Sequence, residues 1–440
     1  MYNFFNFTSK KTSKFVIKMQ IHKFGGGSLK NPQSIEQAIK IIKQRNNEPT
    51  LVVISAFAKT TNALENILYL ARNDQDYQDE LNKLKKFHLN ITLQFFNDKN
   101  ASIFDEIDQY FQQLEHALYN YKDWEYDIHY DATVSFGEIL STIIIHNVFD
   151  LYGLANIWLD AREVIITDTL HRDAIINWDL TNKMINEKVK PLLRDNNLII
   201  TQGFIGRSID GYISTLGREG SDFSAAIFAN CLNAECVTIW KDVPGIFNAD
   251  PKIFDNAILL THLNYKEAFE LAYYGAKILH PKTIQPLEEK KIKLLIKNFL
   301  DPDTKGTLID DYTTKDKHIS SCIIKKNQVL ISISPKDSLF ISENDLSLIL
   351  FIFSDFNIKI NLMQTDAFHF HVCIDNNYFK ITSLINRLNE KFNTEIKHNL
   401  FLVTFTHYKN AIFNILHNEN IYIDQYNGNI RQCLTDSIIL

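Results

Sequence analysis

Cysteine is scarce, with only Cys231, Cys236, Cys322, Cys373 and Cys433 in 440 residues. No pair among them has the spacing of zinc ligands, and an odd number cannot close a complete disulfide framework. Packing in a reducing cytoplasm is the expected role. An excess of positive charge is also missing: the formal net charge is -6, which gives no electrostatic case for nucleic acid or an anionic membrane. No uninterrupted apolar run approaches the roughly 18 residues of a membrane span. Residues 1–18 contain no acidic residue and no continuous apolar stretch. They lack the apolar stretch of a signal peptide and read as an N-terminal extension of unknown role in preference to a transit-type peptide.

What is present is an ordinary globular balance, 45% hydrophobic and 22% charged. The length predicts two or three domains. The first unit reads strand, glycine turn, helix, strand. Gln20 to Phe24 is extended, Gly25 to Gly27 is a turn, and Asn31-Pro32 reads as an N-cap with proline at the first helical position. Ile35, Ala38, Ile39 and Ile42 then recur at helical spacing, and Thr50 to Ser55 reads as a strand buried in a parallel sheet. Residues 62–120 read as charged helices. The α/β rhythm resumes at Ala155–Leu159, Leu198–Thr201 and Cys236–Trp240, with a helix over Tyr265–Ala276. One large α/β domain over residues 19–300 is expected.

A turn-rich passage from Asp301 to Thr307 marks a change of pattern. Beyond it come short strands at Val329–Ser334, Lys359–Gln364, Phe368–Ile374 and Leu400–Phe405, interleaved with helices at Asn344–Phe356 and Ile381–Phe392. This predicts small α+β regulatory domains over residues 310–440.

Three clusters carry chemistry. Lys23-Phe24-Gly25-Gly26-Gly27-Ser28 stands between a strand and a helix, where glycine backbone and a helix N-terminus favour an anion. A ligand-free tight turn is an equal reading of this cluster alone, since GxxxxGK(S/T) is absent and Lys30 spoils GxGxxG. Thr215 to Ser224 again opens a helix with Gly217, Arg218, Gly220, Ser221 and Asp222; Arg218 suits a carboxylate or phosphate, and Asp222 suits either a site or a helix dipole. Trp240 to Lys252 leaves a strand for a turn-rich loop holding Lys241, Asp242, Phe247 and Lys252, where ligands gather in α/β folds. Ser135 to Glu138, and Gly275-Ala276-Lys277 followed by His280-Pro281, are weaker signals. No Ser-His-Asp set and no protein metal cage is evident.

In this order the motifs resemble the aspartate kinases of the amino-acid kinase superfamily. The family's opening K-F-G-G-T/A-S is similar to Lys23 to Ser28, and its S-A-x-x-x-T-T/N segment to Ser55-Ala56 with Thr60-Thr61. Its S-x-G-E and D-A-R patterns match Ser135 to Glu138 and Asp160 to Arg162. T-L-G-R-x-G-S-D, W-K-D-V-x-G, A-D-P-K and G-A-K-x-L-H-P follow, so the likeness runs from Gln20 to about Leu287.

The resemblance implies a three-layer amino-acid-kinase sandwich followed by paired ACT-like, ferredoxin-like domains. It implies transfer of the γ-phosphoryl group of ATP, with Mg²⁺, to the β-carboxylate of L-aspartate, the first step toward lysine, threonine and methionine. It implies Lys23 and Asp222 as catalytic residues and Gly25 to Gly27 as a phosphate cradle. Thr61, Glu138, Arg218 and Ser221 would hold aspartate; Lys241, Asp242, Phe247, Lys252 and Lys277 would surround the nucleotide. No general base is required, because the acceptor carboxylate is already ionised. A homodimer or higher homo-oligomer is expected, with an amino-acid effector bound at Phe356 to Met363. Asn361 stands where lysine-sensitive relatives often carry an acid, which weakens the case for a cationic effector. No homoserine dehydrogenase domain is expected after this region.

Departures from the pattern are Gly27 for threonine, Phe247 for tyrosine, Lys252 for arginine, and Glu219 where a small residue is common. Two alternatives stay open. One is a sister kinase acting on glutamate or acetylglutamate; the other is an amino-acid sensor whose kinase half has decayed.

Overall fold

The computed structural model describes residues 19–438, except 46–47, 99, 196–197, 277, 313–318, 338–339, 411–414 and 417–419. The chain divides into two compact units, crossing between them at 244–245, 281–282 and 310–311.

The first unit is built on a twisted sheet. Across it run Thr307–Asp310, Lys293–Asn298, Cys236–Lys241, Gln20–Phe24, Thr50–Ile54, Leu198–Gln202 and Ile157–Leu159. Every neighbouring pair is parallel except Thr307–Asp310 against Lys293–Asn298. Thr50–Ile54 and Leu198–Gln202 are buried at every position, as their unbroken apolar sequences require of strands covered on both faces. The strands foreseen at Gln20, Thr50, Leu198 and Cys236 thus form the centre of the sheet. Asn31 does cap the helix Pro32–Arg45, its Oδ1 accepting from Ser34 N–H at 2.9 Å.

Helices Thr60–Arg72, Gln78–Leu93, Ser102–Asn120 and Tyr126–Leu151 follow in succession. The charged faces expected of residues 62–120 are backed by apolar stripes such as Ile103, Ile107, Phe111 and Leu114. Tyr126–Leu151 is long and apolar enough to cross a membrane, but 89% of its apolar window is buried inside the protein. Its composition is that of a core helix.

A small sheet of Ile166–Thr167, Ile205–Ser208 and Ile213–Thr215 leads into the helix Gly220–Leu232. The helix Pro281–Lys290 precedes the strand Lys293–Asn298.

The second unit begins with a two-stranded ladder, Ile246–Phe247 against Leu259–Leu260, and a helix Tyr265–Tyr274. That helix is capped by Asn264 and stopped by Gly275 at φ 110°. Its main body is a six-stranded antiparallel sheet ordered Ile360–Thr365, Phe370–Asp375, Ser321–Pro335, Phe392–Thr406, Ile430–Thr435 and Ile421–Asn427. With the helices Glu343–Asp355 and Tyr378–Leu388, its first four strands in sequence give a βαββαβ order, the ferredoxin-like plan. Val329, Ile331, Phe370 and Val372 meet Ile349, Phe353 and Leu384 in its core. The strand expected at Val329–Ser334 is the second half of a longer one. A register shift between Lys325 and Gln328 interrupts the alternation that would have betrayed the first half.

Candidate active site

The first strand ends at Lys23-Phe24, and the next residues turn sharply because glycine permits it. A Cβ on Gly26 would lie 2.5 Å from the carbonyl oxygen of Ala56, so the loop 54–58 can approach only a glycine there. A Cβ on Gly25 would sit 3.3 Å from Lys23 Nζ, whereas one on Gly27 would meet nothing within 4 Å. Gly27 is exposed, and its side of the turn has room for a ligand. Ser28 fastens the turn to the neighbouring strand by donating to the carbonyl of Trp240 at 3.2 Å. Beneath it Phe24 stacks on Trp240 at 6.0 Å.

At the same edge, Lys23 Nζ lies 2.5 Å from Asp222 Oδ1, and Lys241 Nζ lies 3.1 Å from Asp222 Oδ2. Three separate segments of sequence therefore meet in one charge cluster. Asp222 has no exposed surface. Burial alone would raise its pKa, but the ammonium groups of Lys23 and Lys241 overcome that effect and hold the carboxyl at about 2. Burial opposes the charge on Lys241; Asp222 and Glu219 outweigh it, and its pKa is raised. The net result is two lysine side chains held on one buried carboxylate at the mouth of a glycine turn.

Glu138, in the middle of Tyr126–Leu151, is buried, and burial pushes its carboxyl up to about 8 against the lowering effect of the Ala56 N–H and of Lys23. Its Oε2 has no partner among the described residues. A buried carboxylate oxygen without a donor is costly, and a cationic ligand would relieve it. The neighbouring Thr60 is buried with its hydroxyl equally unpartnered, and Thr61 is half-buried one residue on.

Arg218 is exposed, and its side chain makes no hydrogen bond or ion pair among the described residues. Ser221 is buried at the start of the next helix, where a Cβ on Gly203 would lie 2.5 Å from its Cβ. Asp242 is exposed just past the strand carrying Lys241. Phe247 and Lys252 belong to the second unit: Phe247 pairs with Leu259, and Lys252 is exposed in the turn after Asp250. Lys277 lies outside the described residues.

Asp131 was not foreseen. It is fully buried and accepts from Thr215 Oγ at 2.6 Å, from Thr215 N–H at 3.0 Å and from Arg172 N–H, with His171 Nδ1 at 3.0 Å. It anchors the strand from which Arg218, Ser221 and Asp222 depart. An acid two helical turns before Glu138, on the way into the apolar part of the helix, was the available signal. Glu219 also gains a role: it stands at φ 55° before the helix and reaches Lys241 at 3.5 Å.

A largely parallel α/β sheet, a glycine turn with open space, two lysines on a buried aspartate and an exposed arginine make an arrangement suited to holding anions. Residues 18–298 match the amino acid kinase family, and the chain belongs to that family. It is 30% identical over 417 residues to a bifunctional aspartokinase/homoserine dehydrogenase of Buchnera aphidicola, covering 92% of this chain and 50% of that relative. The chain spans about a third to a half of the length of the first curated relatives it matches. Among solved structures, E. coli aspartokinase III in complex with aspartate and ADP (R-state) superposes with a TM-score of 0.83 at 26% identity, covering 95% of this chain and 96% of that one. The same enzyme in complex with lysine and aspartate (T-state) gives 0.78 over the same coverage at 26% identity.

Proposed function

We propose that this protein is an ATP-dependent aspartate kinase, transferring the γ-phosphoryl group to the β-carboxylate of L-aspartate. The observation that carries the reading is the Lys23–Asp222–Lys241 cluster beside the open glycine turn. The likeness to a structure titled as a complex with aspartate and ADP supports the choice of substrates.

In this reading Glu138 receives the ammonium of aspartate and Arg218 forks onto its α-carboxylate. Thr61 and Ser221 flank the same substrate. The N–H groups of Gly25 to Gly27 hold the phosphates, with Lys241 and Asp242 on the nucleotide side. An oxygen of the β-carboxylate then forms a bond to the γ-phosphorus as the bond to the bridging oxygen of ADP breaks. No proton moves. Lys23 offsets the negative charge that gathers as the two anions approach, and Asp222 keeps both lysines aimed. Mg²⁺ would add charge neutralisation; with Asp222 committed to two lysines, Asp242 is the carboxylate left to assist a cation carried mainly by the phosphates. The catalytic role falls to residues 19–300 and a regulatory role to residues 310–440.

A neutral amino acid is the proposed effector of the second unit. Asn361 there is already engaged, accepting from Lys325 Nζ at 2.9 Å and donating to Gln328 Oε1 at 2.8 Å. The five cysteines are buried free thiols, in keeping with a reducing cytoplasm.

The test is ADP release with ATP, Mg²⁺ and candidate acceptors. Release that depends on L-aspartate and not on L-glutamate supports the assignment. Release with neither acceptor would return belief to a sensor whose kinase half has decayed.

A further inference from the structure

The strands Ile360–Thr365 and Phe370–Asp375 are joined by a tight hairpin, closed by Asp366 N–H donating to His369 O at 3.0 Å. Thr365 is in register with Phe370 and Gln364 with His371. Alternation along the strands therefore puts Asp366, His369 and His371 on one face of the hairpin. The other face, with Phe370 and Val372, is buried in the core.

Three donors converge on that face. Asp366 Oδ1 lies 3.4 Å from His369 Nδ1, and Asp366 Oδ2 lies 3.2 Å from His371 Nε2. One donor atom from each residue falls within 4.8 Å of the others. Tetrahedral zinc with bonds of about 2.0–2.1 Å sets neighbouring donors about 3.3 Å apart, close to both separations. A turn cap explains part of this. Asp366 Oδ1 accepts from the N–H groups of Phe368 and His369, both at 2.8 Å. That accounts for Oδ1 but for neither imidazole, and it leaves Oδ2 available.

An independent contact orients one ring. Ser332, directly opposite His371 on the next strand, has its Oγ 2.9 Å from His371 Nδ1. That bond leaves Nε2 as the ring atom facing Asp366, the arrangement by which outer hydrogen bonds aim metal-binding histidines.

We propose that Asp366, His369 and His371 form a binding site for a divalent transition-metal cation, with zinc the best match to two imidazoles and one carboxylate. Its fourth position is open to water. Without the cation, a proton on His371 Nε2 bridges to Asp366 and the Ser332 hydroxyl donates to Nδ1. On binding, the imidazole proton is exchanged through solvent from Nε2 to Nδ1 with no net release, and Nδ1–H then donates to Ser332 Oγ. The cation ties the tip of the hairpin to the strand behind it.

The test uses the full chain stripped with EDTA and titrated with Zn²⁺ against a chromophoric chelator, with Co²⁺ as the spectroscopic probe. The proposal expects one zinc per chain, and cobalt d–d bands without the charge-transfer absorption of thiolate ligands. It expects His371→Ala and Asp366→Asn to weaken binding by at least about tenfold. Asp366→Asn keeps the turn-capping oxygen, so its hairpin stays folded. No uptake by the wild type, unchanged affinity in both variants, or a thiolate band with cobalt would each overturn the proposal.

Discussion

Lys23 and Asp222 meet at 2.5 Å with both side chains shut away from solvent. A buried ion pair of this kind is weak evidence for stability in itself, since desolvation offsets most of the attraction. Its value here is position: it fixes an ammonium at the end of the first strand, beside the glycine turn. Asp222→Asn should lower kcat by roughly 100- to 1000-fold, measured by ADP release at saturating substrates.

The same pair makes a pH prediction. The folded pKa of Asp222 is depressed to about 2, below the ordinary carboxylate value. Its contribution to stability is therefore complete above about pH 4 and is lost as pH falls through 2. Urea melts at a series of pH values should show wild type and Asp222→Asn converging across that window.

Glu138 shifts the opposite way, up to about 8, because its burial penalises the charged form. Ionisation of the unfolded chain above about pH 4.5 then lowers the stability of the unliganded protein progressively up to about pH 8, and the full penalty remains above it. Glu138→Gln should gain stability over wild type through that range. It should also raise the KM for aspartate roughly 100-fold while leaving the KM for ATP nearly unchanged. In the wild type, kcat/KM for aspartate should climb with pH and level off near 8.

Gly26 and Gly27 are adjacent but not equivalent. Gly26→Ala drives a methyl against the Ala56 carbonyl and should cost about 1–3 kcal/mol, with loss of nucleotide binding. Gly27→Thr enters open space, should alter stability by less than about 0.5 kcal/mol, and should lower the KM for aspartate by restoring a hydroxyl. Thermal melts and steady-state kinetics on the two variants separate these outcomes.

The Arg218 side chain makes no hydrogen bond or ion pair among the described residues. Arg218→Ala should leave stability within about 0.5 kcal/mol of wild type. The KM for aspartate should rise roughly 100-fold, and Arg218→Lys should recover only part of it, since a lysine lacks the planar fork.

The motif residues were legible because their local sequence states their geometry. Lys23 lies at the end of a short strand, Gly25 to Gly27 must turn, and Asp222 opens a helix. Their meeting was not legible from spacing alone, because 199 positions of chain separate Lys23 from Asp222 in a sheet whose neighbours are far apart in sequence. The family resemblance supplied that step. Asp131 escaped notice since its partners, Thr215 and His171, come from other segments. The His369 and His371 pair escaped because two histidines on a short strand carry no signal until the hairpin brings Asp366 beside them. The strand Ser321–Pro335 was seen only by half, the bulge near Lys325 having hidden its period.

The most direct measurement is hydroxylamine trapping of the acyl phosphate formed from ATP, Mg²⁺ and L-aspartate, with wild type beside Lys23→Ala. The account predicts β-aspartyl hydroxamate from the wild type, none from L-glutamate, and loss of product in the variant. Equal product from the wild type and Lys23→Ala, or product from glutamate in place of aspartate, would contradict it.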